Sequence, residues 1–226
     1  LIAHNHLNVK MAGCYCGLSD FADGSSHQSV EDMGVLRSIP GITILSPSDI
    51  TSTKGAIKAM MEYEGPVYIR LSRQEVSRIY PEDLRIEIGK AQRVQEGKDV
   101  TIAVTGAPLA AVLNAADILK GEGIEAEILD YITVKPFDRN TLLESVAKTG
   151  LLVTVEEHNI CGGLGSSAAE TLGEVFPVAI KRIGMEDCFG ESGPYALLLE
   201  KYGISTDNIV KQAKRLLKMK GEKTIS

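Results

Sequence analysis

The sequence predicts an α/β fold, and three observations carry that reading. Short apolar runs alternate with stretches of helical period, the alternation repeats along the chain, and a polar segment at residues 80–99 divides it in two. Strands that alternate with helices pair in parallel through right-handed crossovers. A chain of 226 residues is too long for one small domain and too short for two average ones, at roughly 150 residues each. One of its two units is therefore expected to be incomplete.

In chain order, residues 7–12, 42–45 and 67–71 read as the strands of a first unit. Between the second and third lies a helix. It opens at the cap candidates Ser48 and Asp49, carries Ile50, Ala56, Ile57, Ala59 and Met60, and stops at Gly65-Pro66. Only about half of a sheet is present, and the opening residues show neither an initiator Met nor a start signal, so the chain is expected to begin inside a domain. Apolar sheet surface left uncovered there would favour self-association. Residues 81–89 read as the linker, followed by a hairpin-like approach to the second unit. There, strands are expected at 100–105, 126–131, 151–156 and 178–183, and helices at 108–120, 140–149, 163–172, 197–202 and 206–218. This unit reads as complete, with residues 218–226 as a solvated tail.

Composition removes whole classes of function. Hydrophobic residues are 44% and charged residues 24% of the chain, and no apolar run approaches the roughly 18 residues of a membrane span. The net charge of -6 lacks the basic excess that draws a phosphate backbone, so neither nucleic acid nor membrane is an expected partner. Cys14 and Cys16 have no second close pair to complete a zinc site. Reduced thiols in a cytoplasmic protein are the expectation, with no metal-ligating set.

Three segments could carry chemistry. Residues 17–49 hold Asp20, Asp23 and His27 in loop-like sequence ahead of a helix expected near Ser29. Such residues do not build a core strand, so they belong at the mouth of the sheet, where α/β proteins bind ligands. A plain polar loop with an ordinary histidine stands beside that reading. Arg70 and Arg73, in RLSRQ after the third strand, could fork onto an oxyanion or be salt-bridged surface arginines. The run GGLGSS at 162–167 has neither the Lys of a P-loop nor the GxGxxG order, and is expected to form a tight turn with close helix packing.

Taken together, DGSSHQSVED, LRSIPGITILSPSD, GPVYIRLSR, VTVEEHNICGGLGSSAAE and IGMEDCFGESG resemble transketolase, specifically its C-terminal half or the separate C-terminal subunit of a split transketolase. The resemblance implies that residues 1–80 are the back part of a pyrimidine-binding domain and 90–226 a three-layer α/β C-terminal domain. It also implies transfer of a two-carbon ketol unit between sugar phosphates, using thiamine diphosphate and Mg2+. These would be held mainly by segments or a partner chain not included here. An N-terminal subunit or domain and a second copy of this chain are the implied protein partners, and the chain alone is expected to be inactive. Carried over position by position, Asp23 matches the acid that hydrogen-bonds a donor hydroxyl near the reacting carbon. His27 matches the histidine beside the same end, where imidazoles can donate to a developing alkoxide or move a proton. Arg73 matches the arginine that grips the distal phosphate. The activating glutamate and ring-stacking aromatics of the family precede this segment. Tyr15 and Ala22 depart from the pattern, which has His and an acid there, and leave the nature of the distal anion open. Alternatives are a 1-deoxyxylulose-5-phosphate synthase-like enzyme, a 2-oxoacid dehydrogenase β subunit-like enzyme, and a non-catalytic assembly module; Gln28 and Arg73 favour transketolase.

Overall fold

The computed structural model describes residues 1–224. The first unit is built of β1 (Lys10–Cys14), α1 (Asp32–Arg37), β2 (Thr43–Leu45), α2 (Ile50–Glu62) and β3 (Val67–Leu71). Both β1 and β2 run parallel to the central β3. The α2 start follows from its cap: the Asp49 carboxylate accepts the Ser52 N–H at 2.7 Å, and the Ser52 hydroxyl closes the box on the Asp49 N–H. A cap of this kind is worth about 1 kcal/mol. β1 starts and ends later than the expected 7–12 run. The strand begins at Lys10, and Cys16 lies beyond its end and forms an isolated bridge with Ser29. The following helix starts at Asp32 rather than near Ser29.

The second unit carries β4 (Gln92–Gln95), β5 (Val100–Thr105), α3 (Leu109–Gly121), β6 (Ala126–Asp130), β7 (Thr133–Lys135) and α4 (Arg139–Thr149). It continues with β8 (Leu151–Asn159), α5 (Leu164–Val175), β9 (Ala179–Met185), α6 (Tyr195–Lys201) and α7 (Thr206–Thr224). Its sheet has the order β4-β6-β5-β8-β9, parallel except for β4. The hairpin-like approach expected before β5 is instead an edge strand, β4, paired antiparallel with β6. The expected tail is helical where described, since α7 runs through to Thr224, while residues 218–221 are exposed as a solvated end requires; the inward apolar face of the helix, Ala213 and Leu216, lies before it. Residues 225–226 of that expectation lie outside the described residues.

The two units interlock. β7, from the second, adds antiparallel to β2, so the first sheet reads β1-β3-β2-β7. One apolar cluster joins Leu45, Val67 and Ile69 to Val100, Ile102 and Ile128. The uncovered apolar sheet expected of the first unit is therefore not found at β2 and β3, whose core positions the second unit covers. At the seam, buried Asp130 accepts hydrogen bonds from the Ser48 hydroxyl at 2.7 Å and the Tyr80 hydroxyl at 2.8 Å. Asp49 takes the backbone N–H groups of Ile79 and Tyr80 on its second oxygen.

Candidate functional site

Parallel β1 and β3 end side by side, with Cys14 opposite Leu71. The chain leaving β1 turns sharply at Tyr15 (φ +63°) and Gly17 (φ +63°) and returns at Ser29, whose carbonyl accepts the Gly17 N–H at 2.7 Å. The enclosed residues form a compact loop whose ends meet, the shape of an Ω-loop. Within it the Gly24 N–H donates to the Asp20 carbonyl and the His27 N–H to the Gly24 carbonyl, which sets Asp23 and His27 on one short turn.

Leaving β3, Arg73 reaches back to this loop. Its Nη1 donates to the buried Asp20 carboxylate at 2.5 Å and stands 3.7 Å from Asp23, while its backbone N–H donates to the Ser19 hydroxyl at 3.1 Å. The guanidinium lies over the Tyr15 ring, 5.2 Å from its centroid. Its side chain is 45% exposed and that of Asp23 57%, so both face solvent at the sheet mouth. His27 is exposed and shares a 3.0 Å hydrogen bond between Nδ1 and the Ser26 hydroxyl. The fold thus brings the predicted Asp23, His27 and Arg73 to one sheet end, and adds Asp20 and Tyr15 beside the arginine.

Arg70 does not join them. It is buried, its Nε donates to both oxygens of Asp32 at 3.0 and 3.1 Å, and its Nη2 donates to the Glu157 and Ser29 carbonyls. The two-arginine fork is corrected to Arg73 alone, because at the fourth position of a strand buried on that face Arg70 points inward. The glycine run behaves as a turn. The two oxygens of buried Glu156 accept the Leu164 and Gly165 N–H groups at 2.7 and 2.8 Å, so the α5 N-terminus is already filled by an internal carboxylate. Burial lifts that carboxyl to about 7, against the pull of the two N–H donors.

Sequence reasoning missed what carries the loop. The second unit lies directly beneath it: Glu157 accepts the Leu18 N–H and the Tyr195 hydroxyl, both at 2.6 Å. The Gln28 amide donates to the Glu191 carbonyl, and the Gly193 N–H to the Phe21 carbonyl. Gly17 and Gly190 are needed for this approach, since a Cβ on either would strike the Glu157 or Gln28 side chain. The readable signal was two adjacent acids, Glu156 and Glu157, inside an apolar strand, a pattern that demands buried partners. Beside them His158 is buried and accepts the Gly34 N–H on Nε2 at 3.2 Å; burial first, then Arg70, lower its pKa to about 4 and keep it neutral.

Among the described residues no group of three or more His, Cys, Asp or Glu is placed to hold a metal ion, and no helix is long and apolar enough to cross a membrane. The aromatic rings of the loop and seam, Phe21 and Tyr80, are committed to packing against the second unit and to Asp130. Among the described residues, then, no set of side chains offers a seat for the metal of a diphosphate cofactor.

Residues 89–209 match the model of the transketolase C-terminal domain, and residues 1–78 that of the transketolase pyrimidine binding domain. The chain is 44% identical over 219 residues to the 6-deoxy-6-sulfo-D-fructose transketolase subunit of Clostridium sp. (strain MSTE9), covering 97% of this chain and 68% of that protein. It is 39% identical over 215 residues to a putative transketolase C-terminal section of Methanocaldococcus jannaschii, covering 94% of this chain and 67% of that one. A solved structure described as a split gene transketolase, inactive beta4 tetramer, superposes with a TM-score of 0.89 at 41% identity, over 96% of this chain and 69% of that chain.

Proposed function

The chain belongs to the transketolase family, and from that premise we propose that it is part of an enzyme moving a two-carbon ketol unit from a ketose donor to an aldose acceptor. The proposed enzyme assembles from this chain, an N-terminal partner subunit and further copies of the chain. The family's thiamine diphosphate and Mg2+ would be held outside the residues described here and supply the carbanion-stabilising chemistry when bound. The four cysteines are free thiols, which suits a reducing cytoplasm. Residues 1–80 and 90–226 are proposed as the two domains, with 81–89 between them.

The observation that carries this reading is the meeting of Asp23, His27 and Arg73 outside the paired ends of β1 and β3. In the proposed roles, the Asp23 carboxylate accepts from a donor hydroxyl next to the reacting carbon and so fixes its orientation. His27, exposed on the same turn, donates to the oxygen that gains charge or takes up the proton it releases. Arg73, on the neighbouring strand end, holds the far, anionic end of the sugar through its guanidinium. Spread over two loops of one sheet, the three residues would measure the length of the donor as well as its ends.

The test is reconstitution. The full subunit containing this chain, mixed with the N-terminal subunit, thiamine diphosphate, Mg2+, a ketose donor and an aldose acceptor, should return the acceptor as a ketose two carbons longer and the donor as an aldose two carbons shorter, and each protein alone should yield neither. Absence of product from the complete mixture, with the two subunits shown to associate, would sink the reading.

A further inference from the structure

Arg73 is not a free cation. Its Nη1 is taken by the buried carboxylate of Asp20 and approached by Asp23, whereas Nε and Nη2 have no hydrogen-bond partner among the described residues. Nε and Nη2 together form the side-on edge of a guanidinium, the edge that presents two parallel N–H groups to two oxygens of one ligand. The Tyr15 ring covers one face of the group at 5.2 Å and holds its plane without adding charge. What the sheet mouth offers is therefore a geometrically complete fork whose positive charge is cancelled by Asp20 and outweighed once Asp23 is included.

Such a fork discriminates by charge. A phosphate monoester has a second pKa near 6 and is largely a dianion at neutral pH, while a sulfonate is a monoanion with the same tetrahedral oxygens. Both can accept the two N–H groups, but the second negative charge of phosphate meets two carboxylates with a single guanidinium between them. We propose that Asp20 is a specificity-determining residue that tunes Arg73 to a donor ending in a sulfonate, in preference to one ending in a phosphate, with Tyr15 a positioning residue that holds the guanidinium plane. The proposal rests on the reading of Arg73 as the far-end grip of a ketol transferase.

The assembled enzyme, with its N-terminal subunit, is titrated calorimetrically with two open-chain hexitols that lack a carbonyl and cannot react, one ending in phosphate and one in sulfonate. The wild type should bind the sulfonate more tightly by roughly tenfold, the effect of one charge in a partly screened site. Asp20→Asn should bring that ratio close to one. Asp23→Asn, which leaves the buried pair intact, should move it the same way by a smaller step. Tyr15→Phe should keep both affinities, and Tyr15→Leu should weaken both by about threefold without changing the ratio. A wild type that binds the phosphate as tightly or more tightly, a ratio unmoved in both Asn variants, or no binding of either hexitol overturns the proposal. Loss of the ketol-transfer reading alone would look different: no product from reactive ketoses, with the hexitol ratio intact.

Discussion

Glu157 accepts the backbone N–H of Leu18 at 2.6 Å across 139 positions of sequence. One of the second unit's own strand residues thereby supports the loop that carries Asp23 and His27. Its other oxygen is held by Tyr195 from α6, and the Gly193 N–H reaches the Phe21 carbonyl from the same side. The loop's shape thus depends on the docking of two units, and the second unit is part of the site's foundation.

Glu157→Ala should cost about 3 to 6 kcal/mol of stability, since two hydrogen bonds to a buried carboxylate are lost at about 1.5 to 3 kcal/mol each. Hydrogen exchange separates this from general unfolding. The Leu18 amide should exchange fastest relative to wild type under native conditions, while amides of β5 stay protected. Uniform loss of protection would mean that Glu157 stabilises the fold without positioning the loop.

Arg70 and Asp32 form a buried pair 3.0 Å apart, with Tyr68 donating to the same carboxylate. Burial works to raise the Asp32 pKa, and Arg70 with Tyr68 overcomes it and holds it below the usual range. Asp32→Leu or Arg70→Met alone should each destabilise by about 3 to 5 kcal/mol by stranding a buried charge. The double variant should lose much less than their sum in urea titrations. Additive losses would show that the two charges do not depend on each other.

Buried ionisable groups give stability a pH signature. Burial lifts Asp130 to about 7, against the lowering by Ser48 and Tyr80, whereas an unfolded Asp releases its proton near 3.9. Over that interval the folded chain holds a proton the unfolded chain has lost, so this contribution is full below about 4 and is gone above about 7. Glu156, also about 7, acts with the same sign, and Glu157 is raised by burial too. His158, lowered to about 4 mainly by burial, acts with the opposite sign as pH rises toward 6.5. Between pH 5 and 6.5 the carboxyls outnumber the imidazole, so stability should fall as pH rises. Asp130→Asn should flatten that fall by about 1.4 kcal/mol per pH unit. Denaturant midpoints for both proteins at pH 5.0, 5.75 and 6.5 test this; parallel curves would place the Asp130 titration elsewhere.

The sequence made the site's surface legible and hid its support. Asp23, His27 and Arg73 stand out because polar residues cluster where apolar strands end. Glu157 does not, because a strand's period says which face is buried but not what lies across it. The three-residue β7 is too short to show a period at all, and it joins the first sheet only through a contact made in space. Arg70 and Arg73 differ in role because one lies within β3, on its buried face, and the other lies past its end. At β1 the apolar run misled by three residues at the start and two at the end of a five-residue strand, since Leu7 is a turn neighbour and Cys14 is a strand residue despite its exposure.

The roles proposed for the sheet mouth separate by kinetic signature. Asp23 and His27 are assigned to the reacting end of the donor, so Asp23→Ala and His27→Ala in the assembled enzyme should lower kcat/KM by roughly 10- to 1000-fold for long and short donors alike. Both side chains are exposed, so folding should be unchanged within about 0.5 kcal/mol. Arg73 is assigned to the far end, where losing a charge-assisted hydrogen bond costs about 1.5 to 3 kcal/mol. Arg73→Ala should raise KM for a long anionic donor by roughly 10- to 150-fold and leave hydroxypyruvate, whose carboxylate lies at the reacting end, almost unaffected. Arg73→Ala also strands the buried Asp20 carboxylate, so Arg73→Lys is the cleaner companion: it keeps the charge and loses the fork. Equal losses on long and short donors with Arg73→Lys would assign the arginine to loop architecture through Asp20 instead of to the substrate. A long-donor defect with hydroxypyruvate turnover preserved would assign it to the far anion.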